Sequence, residues 1–537
     1  MTHASPLTIG QLLRTPLANT PGQEIIHADV MRYSYAGLWQ RIRRLGAALT
    51  DLGVGAGSVV AVLDWDSHRY LECFFAVPML GAVLHTVNVR LAPEQVLYTI
   101  NHAADEVILV HEDFLPLIGA IAARIIRPVR FVLLQDRPGP AATALPLAGE
   151  YEGLLAASDG AFRFPELDEN TRATLFYTTG TTGDPKGVTF THRQIVLHTL
   201  AVIAAVGPVP GMGGLHRADV YMPITPLFHV HAWGFPYVAT LLGLKQVYPG
   251  RYDPERLLAL IAAHGVTFSH CVPTILNMLL GARTAEATDL SRWKVIIGGA
   301  ALPAGLAERA LARGIDIHAA YGMSETCPLL TAADMTASIA APDGLALRCA
   351  TGKAAPLVEL EIVGADMAPL PHDGIATGEV VARAPWLTAG YLNDPSGSDS
   401  LWAGGWLHTG DVGAIDPAGT LVLSDRLKDV IKSGGEWISS LHLETVVSRC
   451  DGLAETAAIG LPDAEWGERP CLLAVLRPGA DRAAVEAAMR AAIDAAIGAG
   501  TLSKWARPGR IEWCDSLPKT SVGKLDKRAM RAMVAKS

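Results

Sequence analysis

Residues 58–87 read SVVAVLDWDSHRYLECFFAVPMLGAVLHTV. Ser58–Asp64 is an apolar run of strand length, His68–Leu80 has the composition of a buried helix, and Ala82–Val87 is a second strand candidate. A strand, a helix and a strand in this order predict two parallel strands that are joined by a covering helix.

The same pattern returns further along the chain. Strand candidates at Val295–Ile297 and Ile315–Ala319 flank a helical pattern. We therefore predict an α/β fold, in which a large N-terminal domain contains parallel or mixed sheets with covering helices. Ligands of such sheets bind beyond the carboxyl ends of the strands, where Gly298–Gly299 and Tyr321–Thr326 would lie.

The C-terminal part has a different character. A charged connector, DRLKD at 425–429, precedes a helix that Asp481 would cap and Gly498 would end. The apolar stripe of this helix is typical of core packing, although it could also form a partner surface; it consists of Val485, Met489, Ile493 and Ile497. We predict a large domain over 1–424, a hinge linker over 425–430 and a small, mobile α+β domain over 431–537.

Composition limits the classes of partner. The chain has 537 residues, a net charge of −9 and no dense run of basic residues with interleaved aromatics, which disfavours a nucleic-acid partner. Small molecules are the expected ligands. The seven cysteines are scattered without a Cys-x-x-Cys spacing, which favours reduced thiols over a disulfide framework or a zinc site.

Membrane insertion and export are also disfavoured by the sequence. Two uncharged stretches, 73–88 and 194–216, come nearest to membrane spans, but proline or glycine interrupts them, so they are predicted to be buried elements and not transmembrane segments. The N-terminus lacks a basic start followed by an apolar run. We therefore expect a cytoplasmic protein.

Residues 177–188, YTTGTTGDPKGV, have the composition of a phosphate-binding loop. The Walker template fails, because Pro185 takes the place of its second glycine and Gly187 follows Lys186 where a Ser or Thr is needed. Glycine backbone N–H groups, threonine hydroxyls and the Lys186 charge still suit phosphate oxygens. Taken alone, the loop could also be an ordinary surface turn.

Seven motifs in a fixed order carry a resemblance to a known family. They are YTTGTTGDPKGV (177–188), PLFHVHAWG (226–234), GGAAL (298–302), YGMSET (321–326), GWLHTGDVG (405–413), DRLKDVIKSGGEWIS (425–439) and LPKTSVGK (517–524). From about Tyr35 to Arg528 the chain resembles the adenylate-forming enzymes, which include acyl-CoA synthetases, firefly luciferases and peptide-synthetase adenylation domains. GAVLHTVNVRLAPEQ (81–95) and FHVHAWG (228–234) resemble the bacterial medium- and long-chain fatty acyl-CoA synthetases in particular.

This resemblance implies an acyl-CoA ligase. Such an enzyme uses ATP and Mg²⁺ to activate a carboxylic acid as acyl-AMP and then transfers the acyl group to coenzyme A. A medium- or long-chain fatty acid is the expected substrate, and a homodimer is the expected assembly. The alternatives are a ligase for an aryl, arylpropionic or short sulfur-containing acid, an enzyme that loads a carrier protein, a luciferase-like enzyme and a non-enzymatic binding module.

The resemblance also implies the residues that perform catalysis and bind the nucleotide. Lys524, Lys186 and His229 are the expected catalytic residues, and Thr178 and Glu325 are the expected magnesium contacts. The expected ATP and AMP contacts are Thr178, Thr179, Gly180, Thr181, Thr182, Gly183, Gly299, Ala300, Ala320, Tyr321, Gly322, Ser324, Asp411 and Arg426.

Two further groups of residues are implied. The acyl pocket and its gate would be formed by His229, Trp233, Gly298, Gly299 and Ala319. The hinge and the coenzyme A side would be formed by Lys428, Lys432, Gly434, Gly435, Glu436 and Trp437.

The spacing of His229 and His231 admits another interpretation, because on a strand both side chains would share one face and resemble a metal pair. The acyl-pocket interpretation is preferred for His229. Peptide-synthetase domains usually carry an aspartate at this position, which argues against amino-acid substrates.

Overall fold

The computed structural model describes residues 5–178, 184–207, 214–334, 344–433, 436–520 and 523–535, without the side chain of Trp437. The described α-helices span Arg14–Asn19, Tyr35–Asp51, His68–Met79, Pro93–Ala103, Leu115–Ile121, Tyr151–Ala157, His192–Val206, Phe235–Leu242, Pro254–His264, Pro273–Leu280, Ala304–Ala312, Gly344–Cys349, Pro395–Leu401, Ser440–Val447, Arg482–Gly498 and Lys527–Val534.

The strands are numbered in chain order. They are β1 (Glu24–His27), β2 (Met31–Ser34), β3 (Val59–Leu63), β4 (Val83–Thr86), β5 (Val107–His111), β6 (Arg130–Leu134), β7 (Leu147–Glu150), β8 (Arg172–Tyr177), β9 (Gly187–Thr191), β10 (Val220–Tyr221), β11 (Lys245–Tyr248), β12 (Phe268–Cys271), β13 (Lys294–Ile297), β14 (Asp316–Gly322), β15 (Leu329–Ala332), β16 (Gly352–Ala354), β17 (Glu359–Val363), β18 (Gly378–Arg383), β19 (Leu407–Ile415), β20 (Thr420–Arg426), β21 (Ile431–Ser433), β22 (Glu436–Ile438), β23 (Leu453–Asp463), β24 (Gly467–Leu476) and β25 (Arg510–Trp513).

The opening stretch forms the predicted strand–helix–strand unit. Strands β3 and β4 are parallel neighbours, and the helix His68–Met79 connects them. The helix begins after Ser67, whose hydroxyl accepts a hydrogen bond from the backbone N–H of Tyr70. Eleven residues of this helix are buried, from His68 to Pro78, and its buried charged residues Arg69 and Glu72 are paired with Asp64 and Arg41.

This unit belongs to a seven-stranded sheet with the order β7-β6-β5-β3-β4-β8-β9. Its strands are parallel except for the last pair, because β8 and β9 form an antiparallel hairpin. The connection of this hairpin is the predicted phosphate loop. Residues 179–183 of the loop lie outside the described residues.

A second sheet has thirteen strands in the order β17-β18-β19-β20-β16-β15-β14-β13-β12-β10-β11-β1-β2. The strands from β10 to β14 pair with one another in parallel, and the sheet becomes antiparallel from the pair β14–β15 onward through β20. The predicted α/β architecture with parallel and mixed sheets is confirmed. The largest core cluster contains residues of both sheets, among them Val60 of β3 and Ile296 of β13, so the two sheets share one hydrophobic core.

A five-stranded sheet takes all its strands, β21 to β25, from residues after 430. The helix Arg482–Gly498 packs on it, and Asp481 accepts a hydrogen bond from the N–H of Ala483 at its start. Val485, Met489 and Ile493 are buried in the core of this sheet, as predicted. The exact domain limits at 424 and 430 remain predictions.

Within the described ranges, every helix falls short of the length and hydrophobicity that a transmembrane span needs.

Candidate functional site

A cavity lies beyond the carboxyl ends of β13 and β14, where the sequence predicts a ligand site. It encloses about 620 Å³ of space, part of which is open to solvent. Residues from the thirteen-stranded sheet and from the helix His192–Val206 meet there with the C-terminal hairpin, in which Lys519 pairs with Leu525. The lining residues are Val202, Val206, His229, Val230, Trp233, Phe235, Ile296, Gly298, Gly299, Ala320, Tyr321, Gly322, Met323, Ser324, Pro328, Leu329, Ala332 and Lys524.

Two adjacent glycines let large side chains approach the backbone at the end of β13. A Cβ atom on Gly298 would lie 3.0 Å from the Trp233 ring, and one on Gly299 would lie 3.0 Å from Cε of Lys524. Gly299 also has a φ of +75°, which residues with a side chain rarely adopt. The pair therefore leaves room for the indole on one side and for the lysine on the other.

Lys524 reaches this cavity from the C-terminal hairpin. Burial lowers the pKa of its ammonium group to about 8, with a further lowering by Arg426, while Asp411 and Glu325 raise the pKa. The nearby His229 also has a lowered pKa, about 3, because it is buried and faces Lys524 and Arg90. At neutral pH the imidazole is uncharged and does not repel the ammonium group.

The predicted strand around His229 and His231 is wrong. Val230 to Trp233 form a turn in which four consecutive residues have positive φ values between 47° and 58°. His229 lines the cavity, whereas His231 is fully buried against the rings of Phe74, Phe176 and Tyr237. The two imidazoles do not share a face, so they do not form a metal pair.

Asp411, Arg426 and Tyr321 form one connected group. Asp411 and Arg426 are paired residues of the antiparallel strands β19 and β20, and Nε of Arg426 lies 3.0 Å from Oδ1 of Asp411. The Tyr321 hydroxyl donates to Oδ2 of the same carboxylate at 2.6 Å. The Asp411 carboxylate raises the pKa of Arg426. The group therefore holds a buried carboxylate in one orientation.

Tyr391, which the sequence analysis did not identify as a site residue, contacts both Glu325 and Lys186. The Tyr391 hydroxyl donates to Oε1 of Glu325 at 2.7 Å, and Nζ of Lys186 lies 4.4 Å from the centre of the Tyr391 ring. Nζ of Lys186 also lies 3.6 Å from Oδ2 of Asp394, in a half-exposed pair of little energetic weight. An aromatic residue in the glycine- and aspartate-containing loop TAGYLNDP (388–395) was the only signal for it.

Glu325 and Thr178 supply oxygen ligands of the type that Mg²⁺ prefers. Burial raises the pKa of Glu325, and Arg426 and Lys524 counteract this only in part. A divalent cation would therefore stabilise the ionised carboxylate. Thr178 stands at the start of the phosphate loop, where its N–H donates to the carbonyl of Lys186 at 2.9 Å. These two oxygen-bearing side chains are of the kind that would hold a magnesium ion.

We expect Tyr391→Phe to slow ATP-dependent activation about tenfold, because a hydrogen bond to a charged group contributes about 1.5 kcal/mol or more. The aromatic ring next to Lys186 remains in Tyr391→Phe, so the loss of rate reflects the missing hydrogen bond to Glu325. The apparent affinity for Mg²⁺, measured by titration of the rate, should fall with it. Tyr391→Leu removes the ring as well and should lose more; equal rates for the wild type and Tyr391→Phe would contradict the assignment.

Two residues expected at the site are not among the residues that line this cavity. Ala319 belongs to the core cluster of the parallel strands, and its neighbour Ala320 lines the cavity instead. Ala300 is exposed and is not among the lining residues.

The residues predicted for the hinge and the coenzyme A side are not among the lining residues of this cavity. Burial lowers the pKa of Lys428, which lies just beyond β20, and the backbone N–H of Lys432 donates to Glu468 at 2.9 Å. Glu436 is exposed at the start of β22. Gly434, Gly435 and the Trp437 side chain lie outside the described residues, as do Thr179, Gly180, Thr181, Thr182 and Gly183.

The fold is similar to that of a solved enzyme. The crystal structure of the anthranilate CoA ligase AuaEII in complex with anthranoyl-AMP superimposes with a TM-score of 0.87, at 23% identity, and the match covers 99% of each chain. At this level of identity the likeness concerns the fold alone.

Sequence comparison gives the family. The chain is 38% identical to the long-chain-fatty-acid–CoA ligase of Thermus thermophilus, over 94% of this chain and 90% of that protein. It is also 38% identical to the 3-methylmercaptopropionyl-CoA ligase of Ruegeria lacuscaerulensis, over 97% of this chain and 98% of that protein. The family models for the AMP-binding enzyme and its C-terminal domain match residues 13–392 and 442–524. The chain therefore belongs to the family of AMP-binding enzymes.

Proposed function

We propose that the protein is an AMP-forming acyl-CoA ligase. It converts a carboxylic acid and ATP into acyl-AMP and pyrophosphate, and the thiol of coenzyme A then displaces AMP to give the thioester. The observation that carries this proposal is the cavity itself, in which the Lys524 ammonium group and an extensive apolar wall line the same space. The family membership and the two CoA ligases among the relatives support the same activity.

The first half-reaction requires charge stabilisation more than covalent catalysis. A carboxylate cannot lose oxide, so its oxygen attacks the α-phosphate of ATP, pyrophosphate leaves, and the acid acquires AMP as a good leaving group. Lys524 would contact the oxygens of the carboxylate and the α-phosphate, where negative charge is concentrated in the transition state. Lys186 would serve the outer phosphates from the loop 177–188.

The nucleotide contacts follow from the same arrangement. Asp411, held by Tyr321 and Arg426, would accept hydrogen bonds from the ribose hydroxyls. The backbone from Ala320 to Ser324 would bound the adenine, together with Gly299. Thr178 and Glu325 would hold Mg²⁺, which neutralises phosphate charge when it is bound.

The wall of the cavity favours an apolar acid. Val202 and Val206 lie one turn apart on the helix His192–Val206, and Leu329 and Ala332 face them from β15. Among the described residues that line the cavity, none is acidic and Lys524 is the basic one besides the neutral His229. A substrate ammonium group would therefore find no carboxylate, and a second substrate carboxylate would find no dedicated cation. We propose a medium- or long-chain fatty acid as the substrate.

A short sulfur-containing acid is the second candidate. It is favoured by the Ruegeria relative, which is as similar as the long-chain ligase and matches nearly its whole length. Trp233 is central to this distinction, because its ring lies against Gly298 and is only 7% exposed. An indole that stays in place would leave a closed pocket that fits short acids only. An indole that moves would open the cavity to a longer acyl chain.

The thioester step would use a second orientation of the small domain. Rotation about Lys428 would bring Lys432, Gly434, Gly435, Glu436 and Trp437 to the site, where the glycines leave room for the pantetheine arm. A carrier protein in place of coenzyme A is the alternative thiol. Homodimer formation and a cytoplasmic location remain predictions; light scattering of the purified chain measures the first.

The test is AMP release by the purified protein with ATP, Mg²⁺ and coenzyme A. The acids are a series of chains from three to sixteen carbons, 3-methylmercaptopropionic acid, and phenylpropionic and cinnamic acids. We expect a maximum at medium or long chains. Activity confined to the short sulfur acid or to the aryl acids would move the function to that candidate, and no AMP with any acid would refute the ligase.

A further inference from the structure

The hairpin that carries Lys524 is hydrogen-bonded to the large sheet region through Thr274. The Thr274 hydroxyl donates to the carbonyl of Gly523 at 2.8 Å, and Gly523 directly precedes Lys524. Thr274 lies in the first turn of the helix Pro273–Leu280, which follows β12. Because Thr274 is part of a helix, the position of its side chain is well defined. Its hydrogen bond therefore holds the backbone next to Lys524 against the cavity wall.

The same short segment supports the lysine from a second direction. A Cβ atom on Gly523 would lie 3.2 Å from Oγ1 of Thr274 and 3.5 Å from Cγ2 of Val272. A Cβ atom on Gly299 would lie 3.2 Å from Cγ1 of Val272 and 3.0 Å from Cε of Lys524. Residues 272–274 therefore pack against the backbone before Lys524 and against the glycine beneath its side chain.

Other bonds of the hairpin are internal. The N–H of Thr520 donates to the carbonyl of Lys524 at 2.7 Å, and the N–H of Lys524 donates to the Thr520 hydroxyl at 3.2 Å. These bonds stabilise the hairpin itself and are kept when the small domain moves. The bond from Thr274 joins the hairpin to a different domain and exists only while the two are docked as in this structure.

A second polar contact between these parts is much weaker. Nε of Arg449 lies 3.6 Å from Oε1 of Glu308, and both side chains are half-exposed, at 57% and 50%. Exposed pairs of this kind contribute little. Thr274 is partly buried and is bonded to the residue that directly precedes Lys524, so its bond has the larger effect on the position of the ammonium group.

We propose that Thr274 is a positioning residue for the first half-reaction, in which it holds the hairpin so that Lys524 reaches the cavity. The proposal rests on the proposed function, because it assigns Thr274 to acyl-AMP formation. The thioester step, which would follow rotation of the small domain, does not need this bond. Loss of the bond therefore affects the two half-reactions unequally.

Three variants test this. Thr274→Val keeps the shape and removes the hydroxyl, Thr274→Ser restores a donor, and Thr288→Val removes a hydroxyl from a turn away from the cavity. We expect acyl-AMP formation, measured as pyrophosphate release without coenzyme A, to fall about three- to tenfold in Thr274→Val. Thr274→Ser should recover most of the rate. Thioester formation from synthetic acyl-AMP and coenzyme A should be unchanged in all three.

Hydrogen exchange provides a readout that does not depend on activity. Amides of the peptide 519–526 should exchange faster in Thr274→Val than in the wild type, without ligands, and Thr288→Val should match the wild type. Equal losses in both half-reactions, or an unchanged rate of acyl-AMP formation in Thr274→Val, would overturn the proposal. A wild type that activates no acid would refute the proposed function instead, while the exchange comparison would still test the docking.

Discussion

Lys524→Ala is expected to lower the rate of acyl-AMP formation by about 10²–10³, the effect of deleting one preorganised donor at a developing charge. The ammonium group stands beside Gly299, which leaves no side chain between it and the cavity. Thioester formation from supplied acyl-AMP should be nearly unaffected. Pyrophosphate release without coenzyme A measures the first step, and thioester formation from synthetic acyl-AMP measures the second.

The matched control lies on the same hairpin. Lys519 is exposed and pairs with Glu455 at 2.8 Å, outside the cavity, so Lys519→Ala removes one positive charge without touching the site. Its first half-reaction should match that of the wild type. Near wild-type acyl-AMP formation in Lys524→Ala would remove this residue from the catalytic machinery.

The pKa of Lys524 gives the same prediction a pH dependence. The charged ammonium group is the active form, and with a pKa of about 8 it is lost as the pH rises through that value. The first half-reaction at low ATP concentration should therefore fall above about pH 8. Bound phosphate favours the charged form, so at saturating ATP the fall should move to higher pH. This alkaline limb should be absent from the residual activity of Lys524→Ala.

Asp411→Asn is expected to reduce kcat/KM for ATP about 10²-fold. The carboxylate would accept charge-assisted hydrogen bonds from two ribose hydroxyls, and each such bond contributes about 1.5 kcal/mol or more. An amide keeps the size but loses the charge and one acceptor. It also leaves Arg426 without its partner at 3.0 Å. The loss should appear mainly in the KM for ATP and not in the KM for the acid.

Asp416→Asn is the control for this charge. Asp416 follows β19 and accepts hydrogen bonds from the N–H groups of Ala418 and Thr420 in an exposed turn. Its replacement should leave the KM for ATP unchanged. Deoxyadenosine triphosphates extend the test, because the penalty for a missing ribose hydroxyl should be large in the wild type and small in Asp411→Asn. Equal penalties in both proteins would contradict the ribose assignment.

Much of the fold could be predicted because hydrophobic pattern and local caps agree. The stretch 58–87 alternates strand and helix lengths without ambiguity, and Ser67 and Asp481 stand where their helices begin. The location of the site followed from the same logic, since Gly298 and Tyr321 stand at the carboxyl ends of neighbouring parallel strands. These features depend on residues close together in the chain.

The features that the sequence did not predict depend on tertiary contacts or on an unusual backbone conformation. The turn at Val230–Trp233 has no glycine before Gly234, so its left-handed conformation has no signal in the sequence. Tyr391 and Thr274 act through residues 66 and 249 positions away, respectively, which spacing does not reveal.

The turn at Val230–Trp233 also bears on how this protein can be engineered. Left-handed backbone costs a residue with a side chain about 1–2 kcal/mol, so four in succession consume a sizeable part of the stability of an ordinary domain. Glycine at Ala232 would relieve part of this cost and raise the melting temperature, yet it would loosen the segment that holds His229 and Trp233. Selection for thermostability alone would therefore favour changes in this turn that reduce turnover, and a stabilised variant should be sought elsewhere in the chain.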